Sequence, residues 1–155
     1  MHGFVSNFTM RLDAKGRVSI PALFRAVLTR DGFEGLYCYP SPHLEAVDAG
    51  GNLLLGEIEK RLEGLKTLTS EHDYLATALF GASEVLKIDG EGRVTMTETI
   101  KAHAGIVDTV VFVGHGLKFQ IWEPTRFAAH RAEAQRRALA VLEGRPAVPA
   151  GGPAS

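Results

Sequence analysis

The sequence predicts an α+β chain in which two copies of one strand–turn–strand–helix–strand unit share a core, an internally duplicated pseudo-twofold β-barrel with flanking and C-terminal helices. Two observations predict it. The first is a repeat. Asp13-Ala14-Lys15-Gly16-Arg17-Val18-Ser19-Ile20-Pro21 returns as Asp89-Gly90-Glu91-Gly92-Arg93-Val94-Thr95-Met96-Thr97, with aliphatic Leu12 and Ile88 ahead of each Asp. A repeat of this kind constrains architecture before any local propensity does. The second is size. Each unit holds about forty residues, near the lower limit for a piece that folds alone. The economical solution packs the two on one another with strands exchanged between them, both Asp–Arg turns remaining on display.

Each element has its own reason. Residues 4–12 alternate, with Phe4, Phe8, Met10 and Leu12 on one face and only Ser6 interrupting, which predicts a half-buried strand. Gly16 supplies the positive φ of a tight turn, and Asp13 bonds backbone amides within it. Val18 and Ile20 resume the apolar face, and Pro21 opens a helix striped by Leu23, Phe24, Val27 and Leu28. Asp31-Gly32 breaks that helix. Residues 35–39 read as a short strand, ended by Pro40 and Pro42. Residues 43–66 read as helical, with Gly50-Gly51 delaying the start and Leu54, Ile58, Leu62 and Leu65 at helical spacing. Thr69 or Ser70 caps a further helix carrying Leu75, Leu79 and Phe80.

The second copy follows the same plan. Leu86 and Ile88 enter the turn, where Asp89 and Gly92 take the places of Asp13 and Gly16. Thr97 caps a helix over 98–104 that Gly105 closes. Residues 107–113 are β-branched and apolar, hence a strand. Gly114-His115-Gly116 turns the chain, and Leu117, Phe119 and Ile121 alternate with Lys118 and Gln120. Tyr39-Pro40-Ser41-Pro42 reads as the counterpart of Trp122-Glu123-Pro124. Residues 125–143 are helical, and the Gly/Pro/Ala tail over 144–155 is expected to be disordered. The domain reading is therefore 1–66 for the first repeat with its following helices and 67–143 for the second, packed as one unit.

With 155 residues and a net charge of −1, the chain as a whole is less basic than many DNA-binding proteins. The charge is uneven, however. Up to residue 30, Arg11, Lys15, Arg17, Arg25 and Arg30 face Asp13 alone. One basic end on a near-neutral chain is a localised electrostatic footprint. Cys38 is the single cysteine, so no intrachain disulfide forms, which fits a reducing compartment. No apolar run approaches membrane-spanning length, and the first residues carry no signal-peptide pattern.

The sequence offers little for catalysis. Six histidines are scattered without metal-ligand spacing, and neither a nucleophile elbow nor a phosphate-binding loop is present. Cys38 sits in an apolar strand, where a buried, inert thiol is expected. No catalytic residue, metal or cofactor is assigned. The basic turns are the better candidates. Lys15 offers a point charge for phosphate, Arg17 can pair bidentately with guanine, and a two-stranded ribbon fits the major groove. Arg17 equally has a role bracing Asp13, and both readings stay open. In the second turn Glu91 replaces Lys15. Leu53-Leu54-Leu55 is more apolar surface than one small helix buries, which suggests self-association.

The stretch Leu12 to Pro21, a following helix, Tyr37-Cys38-Tyr39-Pro40 and a second Asp-x-x-Gly-Arg copy closely resemble the MraZ family, whose signature is a doubled Asp-x-x-x-Arg motif, here Asp13–Arg17 and Asp89–Arg93. The resemblance covers residues 3 to 140, and Phe80-Gly81-Ala82 ahead of the second copy strengthens it. Met96-Thr97 departs from the usual Ile-Pro pair. That family is similar to the swapped-hairpin barrels of AbrB and MazE DNA-binding proteins, related to double-psi barrels. The resemblance implies a cytoplasmic, nucleoid-associated bacterial transcriptional regulator. It implies binding to repeated boxes of double-stranded DNA upstream of the division and cell-wall gene cluster, its own operon included, and assembly into an octamer-like homo-oligomeric ring. It places Lys15 and Arg17 on the DNA-contacting loop and Arg93 on the second motif arginine; Arg11, from the basic stretch up to residue 30, is expected to bind DNA with them. The alternative is a ring-forming interaction module whose turns bind a protein partner.

Overall fold

The computed structural model describes residues 3–146 and divides into two compact units, one ending at Glu123 and one beginning at Pro124. The first unit runs β1 (Asn7–Arg11), β2 (Arg17–Ser19), α1 (Ala22–Asp31), β3 (Leu36–Pro40), β4 (Val47–Gly50), α2 (Asn52–Glu63), α3 (Ser70–Ala76) and a π-helical turn (Thr77–Gly81). It continues with β5 (Glu84–Leu86), β6 (Arg93–Thr95), α4 (Glu98–Ala104), β7 (Thr109–Gly114) and β8 (Phe119–Trp122). The second unit, taken by itself, is α5 (Pro124–Leu142), on which Glu133 accepts from Arg136 and Arg137 one turn on. The tail expected to be disordered lies, beyond residue 146, outside the described residues.

The fold is α+β. One antiparallel sheet has the order β1-β7-β8-β4-β3-β5, and β2 and β6 form a separate two-stranded ribbon. Exchanging each first-copy strand for its second-copy counterpart, β1 for β5, β3 for β7 and β4 for β8, leaves that order unchanged when read from the other edge. β1 pairs with β7, β3 with β5, β4 with β8 and β2 with β6, so each first-copy strand bonds to a strand of the other copy.

The structure differs from the sequence reading at several points. Among the described residues the sheet is not a closed barrel: β1 and β5 are its edges, and β2 and β6 pair only with each other. The first strand is shorter than 4–12 because Ser6 takes a left-handed φ of 72°. That kink sends Phe4 back to pair with Gly116, while Gly114 N–H bonds the Ser6 carbonyl at 2.8 Å. Residues 47–50, expected at the start of a helix, form β4, held on both sides by β3 and β8. The pairing also shifts the comparison of the two copies. Tyr39 lies in β3 and Trp122 in β8, so the counterpart of Trp122-Glu123-Pro124 is Gly50-Gly51-Asn52 at the entry to α2.

Each face of the sheet has its own layer. On one, Val18, Ile20, Val94 and Met96 of the ribbon stretch, with Phe24 of α1 and Ile100 of α4, pack on Phe112, Phe119 and Ile121. Phe24 is fully buried among rings, with centroids 5.3 Å from Phe4, 5.5 Å from Phe8 and 4.9 Å from Phe119. On the other face Leu54, Ile58 and Leu62 of α2 and Leu79 cover Tyr37 and Tyr39. The Tyr37 hydroxyl donates to the Leu79 carbonyl, and burial pushes its pKa up to about 12. Asp31 ends α1 and also caps α2: its carboxylate accepts from Asn52 N–H at 2.6 Å and Leu53 N–H at 3.0 Å. Of the leucine run, Leu54 is buried, Leu55 packs against that layer and only Leu53 faces out.

Two outcomes follow from this pairing. Residues 1–66 or 67–155 expressed alone lose the partners of three or more strands and are expected to show no cooperative thermal transition as monomers, a point that calorimetry of each half checks. Thr97 caps α4 by accepting from Ile100 N–H at 3.3 Å and donates to Glu84 at 3.0 Å, whereas Pro21 gives α1 no side-chain cap. Thr97→Ala is expected to cost about 1 kcal/mol in urea unfolding, the usual worth of such a cap.

Candidate nucleic-acid interface

The two Asp–Arg turns are built alike down to single hydrogen bonds. In the first, Asp13 Oδ1 accepts from the Lys15 and Arg17 amides, each at 2.9 Å, and Oδ2 accepts from Arg17 Nε at 2.7 Å. In the second, Asp89 Oδ1 accepts from the Glu91 and Arg93 amides, each at 2.9 Å, and Oδ2 accepts from Arg93 Nε at 2.9 Å. Gly16 and Gly92 sit at φ 77° and 78°, where a Cβ is strained, and their amides bond back to the Asp13 and Asp89 carbonyls. The main-chain loop is closed by Asp13 N–H on the Arg17 carbonyl and by Asp89 N–H on the Arg93 carbonyl.

The turns interlock. Ile20 N–H donates to the Gly92 carbonyl and Met96 N–H to the Gly16 carbonyl, both at 2.9 Å. Between these bonds β2 and β6 pair Arg17 with Thr95, Val18 with Val94 and Ser19 with Arg93. The antiparallel register places the two arginines toward opposite ends of a short ribbon whose centre, Val18 and Val94, is buried.

Electrostatics follow from this geometry. The Arg17 amide foremost, then the Arg17 side chain and the Lys15 amide, hold the Asp13 carboxyl below its ordinary pKa against a partial loss of solvation. The Arg93 amide, its side chain and the Glu91 amide act on Asp89 in the same way. The hydrogen bond to Asp89 raises the Arg93 pKa. Bracing engages Nε of Arg17 and leaves its Nη groups without a hydrogen bond among the described residues, so bracing and contact are compatible roles. Arg93 Nη1 also reaches the exposed Glu91 at 3.5 Å, so its guanidinium has a second carboxylate partner.

The sequence-predicted residues fall into two groups. Arg11, exposed at the end of β1, stands with Lys15 and Arg17 at the first turn. Arg93 stands at the second, with Glu91 in place of a lysine. Sequence reading passed over Lys87, exposed two residues before Asp89 as Arg11 is before Asp13; carrying the repeat two positions upstream is the signal that finds it. Cys38 is fully buried, and loss of solvation foremost, with Glu84 nearby, pushes its thiol up to about 12, far from a thiolate. Among the described residues no helix is long and apolar enough to cross a membrane, and no group of three or more His, Cys, Asp or Glu is placed to hold a metal ion.

Because both carboxyls are depressed in the fold, their contribution to stability is fully present above the unfolded carboxylate pKa, about 3.9 for Asp, and is lost as pH falls through the lower folded values. The melting temperature is expected to fall on the acid side of that value. A chain carrying both Asp13→Asn and Asp89→Asn is expected to start lower and fall less steeply there, which calorimetry across that pH range measures.

Comparison with known proteins agrees with the doubled motif. The family model described as "MraZ protein, putative antitoxin-like" matches residues 79–145. A protein of Methylocella silvestris named Transcriptional regulator MraZ is 61% identical, covering 88% of this chain and 84% of its own length. One of the same name from Beijerinckia indica is 57% identical over 96% of this chain and 93% of its own. Another, from Rickettsia bellii, is 40% identical over 89% and 93%. These relatives are named for regulating transcription and not for a catalysed reaction. With identities this high over nearly the whole chain, and with both Asp–Arg turns in place, the chain belongs to the MraZ family.

Proposed function

We propose that the chain is a sequence-specific DNA-binding transcriptional regulator and not an enzyme. It acts on repeated boxes of double-stranded DNA upstream of the division and cell-wall gene cluster, its own operon among them. The observation that carries this reading is the first turn. Arg11, Lys15 and Arg17 lie within seven residues of one another at a turn that Asp13 braces, and the Nη edge of Arg17 is left for a partner once Nε has braced Asp13. Arginine presents such an edge bidentately to guanine or phosphate, and lysine adds a point charge. The regulator names of the relatives point the same way.

The reading includes self-association into a homo-oligomeric ring and residence at the nucleoid. A subunit of net charge −1 offers few phosphate contacts, so one subunit binds weakly. Linked subunits facing repeated boxes convert weak contacts into a strong one through effective concentration. The palindromic strand order supports a duplicated swapped-hairpin origin for the two copies that carry β1–β4 and β5–β8.

Arg17→Ala tests the reading. Each bidentate arginine contact is worth about 1–3 kcal/mol, so its loss at every engaged subunit is expected to abolish retardation of DNA from upstream of the chain's own gene. The melting temperature and sedimentation of the same sample are expected to stay close to wild type, since an exposed ion pair contributes little to stability. Arg93→Ala is expected to weaken binding less, because Glu91 already opposes phosphate there. A stable Arg17→Ala oligomer that retards the DNA at wild-type concentrations would sink the reading, and a wild-type protein that sediments as a monomer at micromolar concentration would sink the ring.

A further inference from the structure

The two turns differ in what lies over them. Gly92, at the left-handed position of the second, is buried, whereas Gly16 at the same position of the first is half-buried. The cover is Arg25, from α1 of the other copy. A Cβ on Gly92 would lie 2.6 Å from Cδ and from Nη1 of Arg25 and 2.9 Å from Cζ, while near Gly16 only the Met96 carbonyl comes within reach, at 3.7 Å. Arg25 Nε donates to the Ile20 carbonyl at 3.0 Å, and the Ile20 amide in turn binds the Gly92 carbonyl. The side chain is thereby anchored across the junction of the two copies. Arg25 is still exposed and, among the described residues, pairs with no carboxylate. Its counterpart in the second copy, Lys101, is instead tied to Glu98 at 3.1 Å.

Charge gives this placement a purpose. At the first turn Arg11, Lys15 and Arg17 outweigh Asp13. At the second, Asp89 and Glu91 cancel Lys87 and Arg93. We propose that Arg25 is a phosphate-contacting residue of the second turn. Its guanidinium, laid over Gly92, supplies from the first copy the positive charge that the second lacks where Glu91 takes the place corresponding to Lys15. The second turn thereby faces the nucleic-acid backbone with a net positive rim. The absence of a side chain at Gly92 serves this arrangement as well as the turn, since a Cβ there would push the guanidinium aside. The inference rests on the DNA-binding reading above.

Fluorescence anisotropy of the full chain, titrated at a series of KCl concentrations, tests it. The probes are a labelled duplex from immediately upstream of its own coding region and a scrambled duplex of equal length. Arg25→Gln is expected to weaken binding to both duplexes by the same factor. It is also expected to reduce the slope of log K against log salt by about 0.9 for each Arg25 engaged. Arg25→Lys is expected to restore the slope, and so is Glu91→Lys placed on top of Arg25→Gln. An Arg25→Gln slope equal to wild type overturns the proposal, whether or not affinity falls, because a fall without a slope change marks Arg25 as packing the turn only. A loss confined to the upstream duplex also overturns it, in favour of a base contact. Arg25→Met, which keeps the stem over Gly92, is read in the same way if Gln disturbs the melting transition. A wild-type chain that binds neither duplex overturns the DNA reading and this proposal together. A wild-type chain that binds, with an Arg25→Gln variant of equal slope, overturns this proposal alone.

Discussion

The interlock between the two Asp–Arg turns is the constraint on which the rest of the molecule depends. Ile20 bonds to Gly92 and Met96 to Gly16, and each bond crosses from one copy to the other. Once those two bonds and the three β2–β6 pairs form, the directions of the chain entering and leaving both turns are set. β1 then reaches β7 and β5 reaches β3, and Phe24 and Ile100 are carried onto the same face of the sheet. A unit of this size is near the lower limit for burying enough apolar surface alone. Interlocking therefore solves a problem of size and fixes the display of the two arginines at the same time.

A second set of polar contacts lies where the copies meet at the centre of the sheet. Asp48 and Gln120 face one another across β4 and β8, both almost fully buried. Gln120 Nε2 donates to Asp48 Oδ1 and Lys118 Nζ reaches Oδ2, each at 3.0 Å, and Trp122 Nε1 donates to Gln120 Oε1 at 2.9 Å. A buried carboxylate left without partners is costly. Any one-residue slip of β4 against β8 would strand this one and turn every side chain of β4 to the wrong face. The network thus pins the register at the pseudo-twofold junction, as the turns pin it at the ribbon.

The two turns share one backbone and differ in charge. The Asp-to-amide bonds, the glycine φ values and the Nε brace are matched. Lys15 and Glu91 are not, because the middle of the turn points outward and packing places no demand on it. The fold holds the part of the motif that shapes the turn and places no constraint on the exposed middle.

Local chemistry was legible in the sequence. The Asp and Gly positions of both turns, the Thr97 cap, the Gly105 stop and the apolar stripe of α2 follow from side-chain bonds and φ preferences within a few residues. The doubled motif also pointed to two copies with strands paired across them, as the β1–β7, β3–β5, β4–β8 and β2–β6 pairs have it. What the sequence could not supply were decisions made between distant residues. Val47–Gly50 has no alternation of its own and is a strand because β3 and β8 flank it. Gln120 and Lys118 looked like an outward face until Asp48, 70 residues from Lys118, gave them an inward partner. Arg25 looked like one more charge on a helix, and only the interlock laid it over Gly92. Hydrogen bonds between neighbours leave a trace in residue spacing. A register, an open sheet edge or a guanidinium set across a copy boundary is decided by which surfaces meet, and that exists only once the chain has folded.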